Sequence, residues 1–269
     1  MEVYEPERHD LIYLTPAGRE QALYFGRQEA EQSYGFDVFR QAVELCPGIV
    51  RRQDAGERSL DGDGVAARSI KTVGNFDTAG TDRSAEKIKT SGDSGKYLRL
   101  GFSWHERSGN VRMRFSSMVE TSQVLRVVKP WDLVQYIDRM KNEDMRRKLA
   151  LIRKTGMRYG VRWGIFGSCA MEMVTGLPYM DEDSDLDLIA MWEQPEKNEN
   201  ERLNIDRSRA FYKECKAIAG DMSFDMEILF PGIGSVKASE WFSGSELVLI
   251  KNLSGAQLME RAKLMRIKE

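Results

Sequence analysis

The alternation of apolar and polar residues along the chain differs between its two halves. Residues 97–103 and 111–115 are short strand candidates separated by Gly109-Asn110, so the pattern predicts a β-hairpin. Ahead of this hairpin, residues 11–100 are polar and rich in glycine. Within them, residues 54–95 contain few large apolar side chains, which predicts long loops or a polar insertion.

A change of pattern near Pro130 predicts a domain boundary. Residues 124–128 are apolar, and after Pro130 residues 131–154 carry apolar side chains at roughly helical spacing, which predicts an amphipathic helix or a broken pair of helices. The chain is therefore expected to divide into domains at residues 1–130 and 131–269.

The second half alternates between strand and helix patterns. This order predicts an α/β or α+β domain. With the hairpin, the whole chain is expected to be α+β, with a mixed C-terminal sheet and flanking helices after a smaller, β-rich N-terminal domain. The predicted strands are residues 161–166, 185–192 and 223–230, and the predicted helices are residues 169–174, 205–219 and a last one near 236–243.

Charge and composition exclude several classes of function. With 40 basic and 42 acidic residues the net charge is −2, so no electrostatic surface for nucleic acid or an anionic membrane is expected. No apolar run approaches the ~20 residues of a membrane span, and the polar start predicts a cytoplasmic protein. Cys46, Cys169 and Cys215 form no CxxC pair and are expected to be buried thiols. Only two histidines are present, so carboxylates are expected to carry the chemistry.

Two short motifs predict a site for phosphate and metal. Asp185 and Asp187 are two residues apart on a predicted strand, so they share one face and form a hard oxygen site suited to Mg²⁺, with Mn²⁺ as the alternative. Gly167 allows close approach of a phosphate, and Ser168 begins the next helix, where N–H groups favour anions. Each motif alone is weak, but their order indicates metal-dependent phosphoryl or nucleotidyl transfer on a nucleotidyltransferase-like fold.

A third acidic segment follows on the predicted strand at residues 223–230. Asp225 and Glu227 share one face of that strand, and either could be a plain solvent-facing acid. Asp225 is the preferred third carboxylate and general base, because its shorter side chain is ordered at lower entropic cost.

These motifs lie in a chain that resembles the malonate decarboxylase holo-acyl-carrier-protein synthase, or phosphoribosyl-dephospho-CoA transferase, family. The resemblance extends through most of the chain except residues 54–95. The segments that carry it are Arg8 to Leu14, Val124 to Val128, Pro130 to Leu133, Gly167-Ser168, Glu172, Thr175-Gly176, Ser184 to Leu188, Phe224 to Glu227, Ala238, Glu240-Trp241 and Val248 to Lys251.

The resemblance implies transfer of 2′-(5″-phosphoribosyl)-3′-dephospho-CoA from triphosphoribosyl-dephospho-CoA to a serine of the malonate decarboxylase acyl carrier protein, with release of pyrophosphate. It implies metal binding by Asp185, Asp187 and Asp225. Arg112 and Arg114 resemble family arginines and are candidate phosphate ligands, although exposed hairpin charges would have the same pattern. Lys251 is a further phosphate candidate, or a lysine that extends along apolar neighbours.

Two alternatives remain open from the sequence. The first is an enzyme of the same fold that uses an ordinary nucleoside triphosphate and another acceptor, because fold does not fix function. The second is a non-catalytic module that binds a carrier protein. All three candidate carboxylates are present, which favours a catalytic protein over that module.

Overall fold

Two β-sheets organise the molecule. The computed structural model describes residues 6–51, 97–192 and 201–266, and the predicted insertion at residues 54–95 lies outside this part. The α+β class is confirmed, with an antiparallel five-stranded N-terminal sheet and a mixed six-stranded C-terminal sheet. The two-domain division at Pro130 stays a prediction.

The N-terminal sheet has the strand order β4-β3-β2-β1-β5 and carries two helices. The predicted hairpin is confirmed, and its strands are longer than expected, with pairing that extends from Tyr97 and Glu120 to Ser108 and Val111. The elements are β1 (Leu11–Leu14), α1 (Pro16–Gln32), α2 (Phe36–Leu45), β2 (Gly48–Val50), β3 (Tyr97–Ser108), β4 (Val111–Glu120) and β5 (Val124–Val128).

Residues 11–50, for which the sequence predicted no regular elements, form two strands and two helices. Helix α1 begins with Pro16 after the N-cap Thr15, whose hydroxyl accepts a hydrogen bond from the Gly18 N–H. Its buried positions are all glycine or alanine, so no large apolar residue marks the face that packs on the sheet. These buried residues are Gly18, Ala22, Gly26 and Ala30.

The C-terminal sheet has the strand order β11-β10-β9-β8-β7-β6, in which only β7 and β8 are parallel neighbours. The broken pair of helices after Pro130 is confirmed, as a 3₁₀ helix (Pro130–Arg139) followed by α3. The other elements are α3 (Glu143–Tyr159), β6 (Trp163–Ile165), α4 (Gly167–Thr175), β7 (Leu186–Met191), α5 (Glu201–Ala219), β8 (Phe224–Phe230), β9 (Gly234–Lys237), α6 (Ala238–Ser243), β10 (Leu247–Asn252), β11 (Gly255–Glu260) and α7 (Arg261–Arg266).

Two expectations about the end of the chain are corrected. The helix predicted near residues 236–243 begins only at Ala238, because Gly234–Lys237 pairs with β8 as strand β9. The hairpin of β10 and β11 was not predicted from the sequence. All three cysteines are buried and free, as expected. None of the helices formed by the described residues has the length and apolar content to cross a membrane.

Polar contacts join the hairpin of the N-terminal sheet to the loop before β7. Arg107 donates hydrogen bonds to both carboxylate oxygens of Asp181, at 2.7 and 2.9 Å. The Tyr179 hydroxyl donates to the carbonyl oxygen of Ser103 at 2.5 Å. Ser184 in turn donates to Asp181 at 2.6 Å, so the loop that leads into Asp185 is held against the hairpin.

Candidate active site

The candidate glycine, serine and carboxylates meet at one edge of the C-terminal sheet, where β7 and β8 begin and β6 ends. Strands β7 and β8 run in parallel with Asp187 directly beside Asp225, so the two side chains lie on the same face. The preceding strand β6 is antiparallel to β7 and ends at this edge, where the Phe166 N–H donates to the Asp187 carbonyl at 3.2 Å. Gly167 and Ser168 follow at once. Asp185 is exposed and lies just before β7, which begins at Leu186 rather than at Asp185.

Only a glycine fits at position 167, where the backbone contacts Asp187. Its φ is +68°, in the left-handed region that favours glycine. A Cβ atom on Gly167 would lie only 2.0 Å from Asp187 Oδ2 and 2.9 Å from its carboxyl carbon. The turn and the carboxylate therefore pack in direct contact, and any other residue at this position would push them apart.

Helix α4 presents its N-terminus at this turn. Its N-cap residue, Phe166, provides no side-chain hydrogen bond to the first turn. The first N–H groups of a helix have no partner within the helix, so here they are available to an anion. At the other end, Glu172 accepts a hydrogen bond from the Met180 N–H at 3.0 Å and fixes the chain that returns to Asp185.

Asp187 carries an unusual charge environment. Partial burial, as the largest cause, and the neighbouring charges of Asp185, Asp225 and Glu227, in that order, together raise the pKa of its carboxyl group to about 7. The positive charge of Arg114 lowers this pKa. Several carboxylates thus repel one another around Asp187, which is the condition that a bound cation relieves.

This pKa predicts that Asp187→Asn stabilises the metal-free protein. The pKa of Asp187 is higher in the folded than in the unfolded chain, so the protonated carboxyl group stabilises the fold below pH ~4. This contribution is lost as the pH rises through its folded pKa of about 7. In EDTA at pH 8 the asparagine variant should therefore be more stable by at least ~1 kcal/mol, roughly 2–4 °C in Tm. Thermal unfolding at pH 8 and pH 5 tests this. A difference that does not shrink at pH 5 would contradict it.

Asp225 and Glu227 have different partners. Asp225 is half-buried and forms an ion pair with Lys237, with Nζ 2.9 Å from Oδ2. Glu227 is buried and is contacted by Arg8 at 3.4 Å, by His9 Nε2 at 3.1 Å and by the Ser235 hydroxyl. Burial raises the pKa of Glu227, but His9, Arg8 and Ser235 together lower it to about 2. Glu227 is thus held as an anion by these three partners, and the choice of Asp225 as third carboxylate stays a prediction.

Three further residues lie at the site. His9, in a segment that carries the family resemblance, was expected to help shape the cleft, whereas Lys237 and Arg51 were not recognised from the sequence. His9 has a φ of +71° and stacks on Phe166 at 3.9 Å, so it connects the Gly167 turn to Glu227. Lys237 was missed because a lysine at the end of a strand is ordinarily a solvent-exposed residue. Arg51 lines the cavity beside Gly167 and was missed because it adjoins the polar insertion.

A cavity of about 210 Å³ lies between the two sheets at this edge and is lined by Gly167, Ser168 and Asp187 together with Arg112 and Arg114. Arg114 is exposed. Arg112 is buried, which excludes the interpretation that it is an exposed hairpin charge, and it donates to the carbonyl oxygens of His105 and Tyr179 at 2.7 and 2.6 Å. Arg114 is therefore the better placed of the two arginines for a ligand.

Lys251 is not brought to this cavity. It lies on β10, three strands from β7, and lines a separate cavity of about 310 Å³ with Arg8 and Gly234. His9 lines both cavities. A phosphate bound at Gly167 would therefore be served by Arg114 rather than by Lys251.

The donor set at the edge fits a hard cation. Asp185 and Asp187 supply only carboxylate oxygens, which Mg²⁺ and Mn²⁺ prefer. Asp225 is turned to Lys237, and within the described residues no three carboxylate, thiol or imidazole groups already form a metal-binding group. This arrangement suits an ion that keeps waters and substrate phosphates as its other ligands.

Comparison with known proteins shows which family these residues are similar to. Residues 132–262 match the profile of the phosphoribosyl-dephospho-CoA transferase MdcG C-terminal domain. The matched residues are slightly less than half of the chain. The family resemblance inferred from the sequence is thereby confirmed, and the MdcG C-terminal domain contains Gly167, Ser168, Asp185, Asp187 and Asp225.

Two curated relatives are similar to the chain over a limited length. A phosphoribosyl-dephospho-CoA transferase of Pseudomonas fluorescens is 33% identical over 99 residues, which cover 36% of this chain and 42% of that protein. A second one, of Azotobacter vinelandii, is 28% identical over 100 residues, covering 37% of this chain and 42% of that protein. The matched chain thus spans about two fifths of these relatives. No solved structure matches it.

Proposed function

We propose that this protein transfers 2′-(5″-phosphoribosyl)-3′-dephospho-CoA from triphosphoribosyl-dephospho-CoA to a serine hydroxyl of the malonate decarboxylase acyl carrier protein. The observation that carries the proposal is the contact of the Asp187 carboxylate with Gly167 at the uncapped start of α4, beside Asp185 and Asp225. The family match and the printed names of the two relatives support the same substrate class.

The reaction is a displacement at phosphorus. The serine oxygen forms a bond with the phosphorus nearest the ribose, and the bond between that phosphorus and the pyrophosphate oxygen breaks. Pyrophosphate leaves with the electron pair, and the serine proton passes to a carboxylate. Catalysis of such a step consists of positioning and charge stabilisation.

The residues of the site have distinct roles in this proposal. N–H groups of the first turn of α4 and the Arg114 guanidinium bind the leaving phosphates. Asp225 accepts the serine proton, and Lys237 orients its carboxylate through their ion pair. Asp185 and Asp187 would hold Mg²⁺ or Mn²⁺, which neutralises charge on the phosphates when it is bound.

The test is the mass of the carrier protein. The full chain is incubated with Mg²⁺ and the malonate decarboxylase acyl carrier protein, with triphosphoribosyl-dephospho-CoA in one reaction and ATP in the other. We expect the first reaction to add the phosphoribosyl-dephospho-CoA mass to the carrier, and a serine-to-alanine carrier to remain unmodified. Addition of an AMP mass from ATP alone would instead identify an ordinary nucleotidyltransferase.

Gly167→Ala is expected to reduce the transfer rate at least ~10-fold, because its Cβ would displace the Asp187 carboxylate. Gly176→Ala is the matched control, since Gly176 has a φ of +69° but no atom within 4 Å of an added Cβ. Both variants should lose roughly 1–2 kcal/mol of stability from the left-handed backbone. Rates corrected for folded fraction by thermal unfolding separate the effects. Equal rates in the two variants would show that the Gly167–Asp187 contact is not needed.

A further inference from the structure

The N-terminal sheet contributes one wall of the cavity beside Gly167, and Arg51 lies on that wall. It follows strand β2 directly, and its backbone N–H donates to the carbonyl oxygen of Arg99 on β3 at 3.2 Å. Its side chain lines the same cavity as Arg114, Gly167 and Ser168. The backbone hydrogen bond fixes where the Arg51 side chain starts.

Gly101 on β3 provides the space that the Arg51 side chain occupies. A Cβ atom on Gly101 would lie 2.2 Å from Arg51 Nε and 3.0 Å from its Cζ and Nη2 atoms. Gly101 is paired with Ile49, two residues before Arg51. The guanidinium group is therefore packed directly on the backbone of β3, and it would have to move if Gly101 carried a side chain.

Arg51 is also part of a group of positive charges. Burial lowers the pKa of Arg51, and the charges of Arg114 and Arg8 lower it further. Arg8 contacts Glu227, whereas Arg51 and Arg114 both line the cavity that ends at α4. Like charges held close together with helix N–H groups form a site for an anion of several charges.

We propose that Arg51, positioned by Gly101, binds the polyphosphate of the substrate in the cavity between the two sheets. This inference rests on the proposed function, because it assigns a residue to the donor's phosphates. With Arg114 it makes two ligands from outside residues 132–262, so the phosphate site is shared between the MdcG C-terminal domain and the N-terminal sheet.

Binding of inorganic tripolyphosphate to the full chain tests the inference by isothermal titration calorimetry. Arg51→Ala should weaken binding about tenfold or more, as expected for loss of charge-assisted hydrogen bonds. Arg51→Lys should weaken it less. Gly101→Ala should weaken binding to a similar extent as Arg51→Ala, and the double variant should bind no more weakly than Arg51→Ala alone. Arg126→Ala is the control, since Arg126 is exposed on β5 and does not line the cavity.

Each outcome decides a part of the inference. The role of Arg51 would be overturned if Arg51→Ala bound tripolyphosphate within twofold of the affinity of the unsubstituted protein. It would also be overturned if the unsubstituted protein bound no tripolyphosphate. Unchanged affinity in a folded Gly101→Ala variant would overturn the positioning by Gly101. If binding depends on Arg51 but no carrier protein is modified, the proposed function fails, and Arg51 is a polyphosphate ligand for another donor. If carrier modification proceeds and Arg51→Ala has no effect on it or on binding, the inference alone fails.

Discussion

Asp187→Asn is expected to lower the transfer rate at least ~100-fold while the protein stays folded. Asp187 contacts the Gly167 turn and adjoins Asp185 and Asp225, so its charge acts on both the metal and the transferred phosphate. Loss of one such charge weakens the stabilisation of the transition state, and losses of this size are typical of electrostatic deletions. Asp185→Asn should have a comparable effect, and EDTA should abolish the activity of the unsubstituted protein.

The control for this prediction is Asp183→Asn. Asp183 is an exposed acid in the same loop, two residues before Asp185, and it has no role in the proposed site. Its removal should leave the rate within about twofold, as for most surface substitutions. Initial rates of pyrophosphate release, with folding checked by circular dichroism, give the comparison. An Asp187→Asn rate close to that of Asp183→Asn would refute the assignment.

Asp225→Asn is expected to reduce kcat far more than Glu227→Gln does, with KM little changed. Asp225 is beside Asp187 in the parallel register and has a charge partner, Lys237, at the edge of the site. As the proposed proton acceptor, it acts mainly in the transition state, so its loss falls on kcat. Because Asp225 is only half-buried, we expect the unfolding temperature of the Asp225→Asn variant to change little.

Glu227→Gln should instead destabilise the fold. Glu227 is buried and held by Arg8, His9 and Ser235, and loss of one partner of such a buried pair costs roughly 3 kcal/mol. The ionised Glu227 stabilises the fold above pH ~4.5, and this contribution is lost as the pH falls towards its folded pKa of about 2. The stability difference should therefore shrink in acid.

Steady-state kinetics and urea unfolding on the two variants separate these roles. Glu246→Gln, on an exposed glutamate away from the site, is the control for both measurements. A larger loss of kcat per folded molecule at Glu227 than at Asp225 would show that Glu227 is the third carboxylate.

The parts of the fold that could be predicted from sequence are those with local signals. The hairpin at Gly109-Asn110 and the order of β6, α4 and β7 follow from alternation and turn residues within short segments. Helix α1 was missed because glycine and alanine form its buried face, so close packing replaces large apolar side chains. Strands β10 and β11 were missed because their hairpin lies at a sheet edge with much of β11 exposed.

The candidate site divides in the same way. Asp187 and Asp225 were assigned to one site because the family resemblance implies it, and the structure places them side by side in the parallel pairing of β7 and β8. The position of Lys251 could not, since it depends on strand order rather than on local pattern. The contacts of His9 with Glu227 and of Arg51 with Gly101 join distant parts of the chain, and no local pattern encodes them.

The central claim is that the carboxylate edge beside Gly167 carries out the transfer. The most direct measurement is the intact mass of the carrier protein after incubation with triphosphoribosyl-dephospho-CoA and Mg²⁺, using the unsubstituted protein and Asp187→Asn in parallel. We predict that the unsubstituted protein adds the phosphoribosyl-dephospho-CoA mass to the serine and that folded Asp187→Asn leaves the carrier essentially unmodified. Equal modification of the carrier by both proteins, or by neither, would contradict the account.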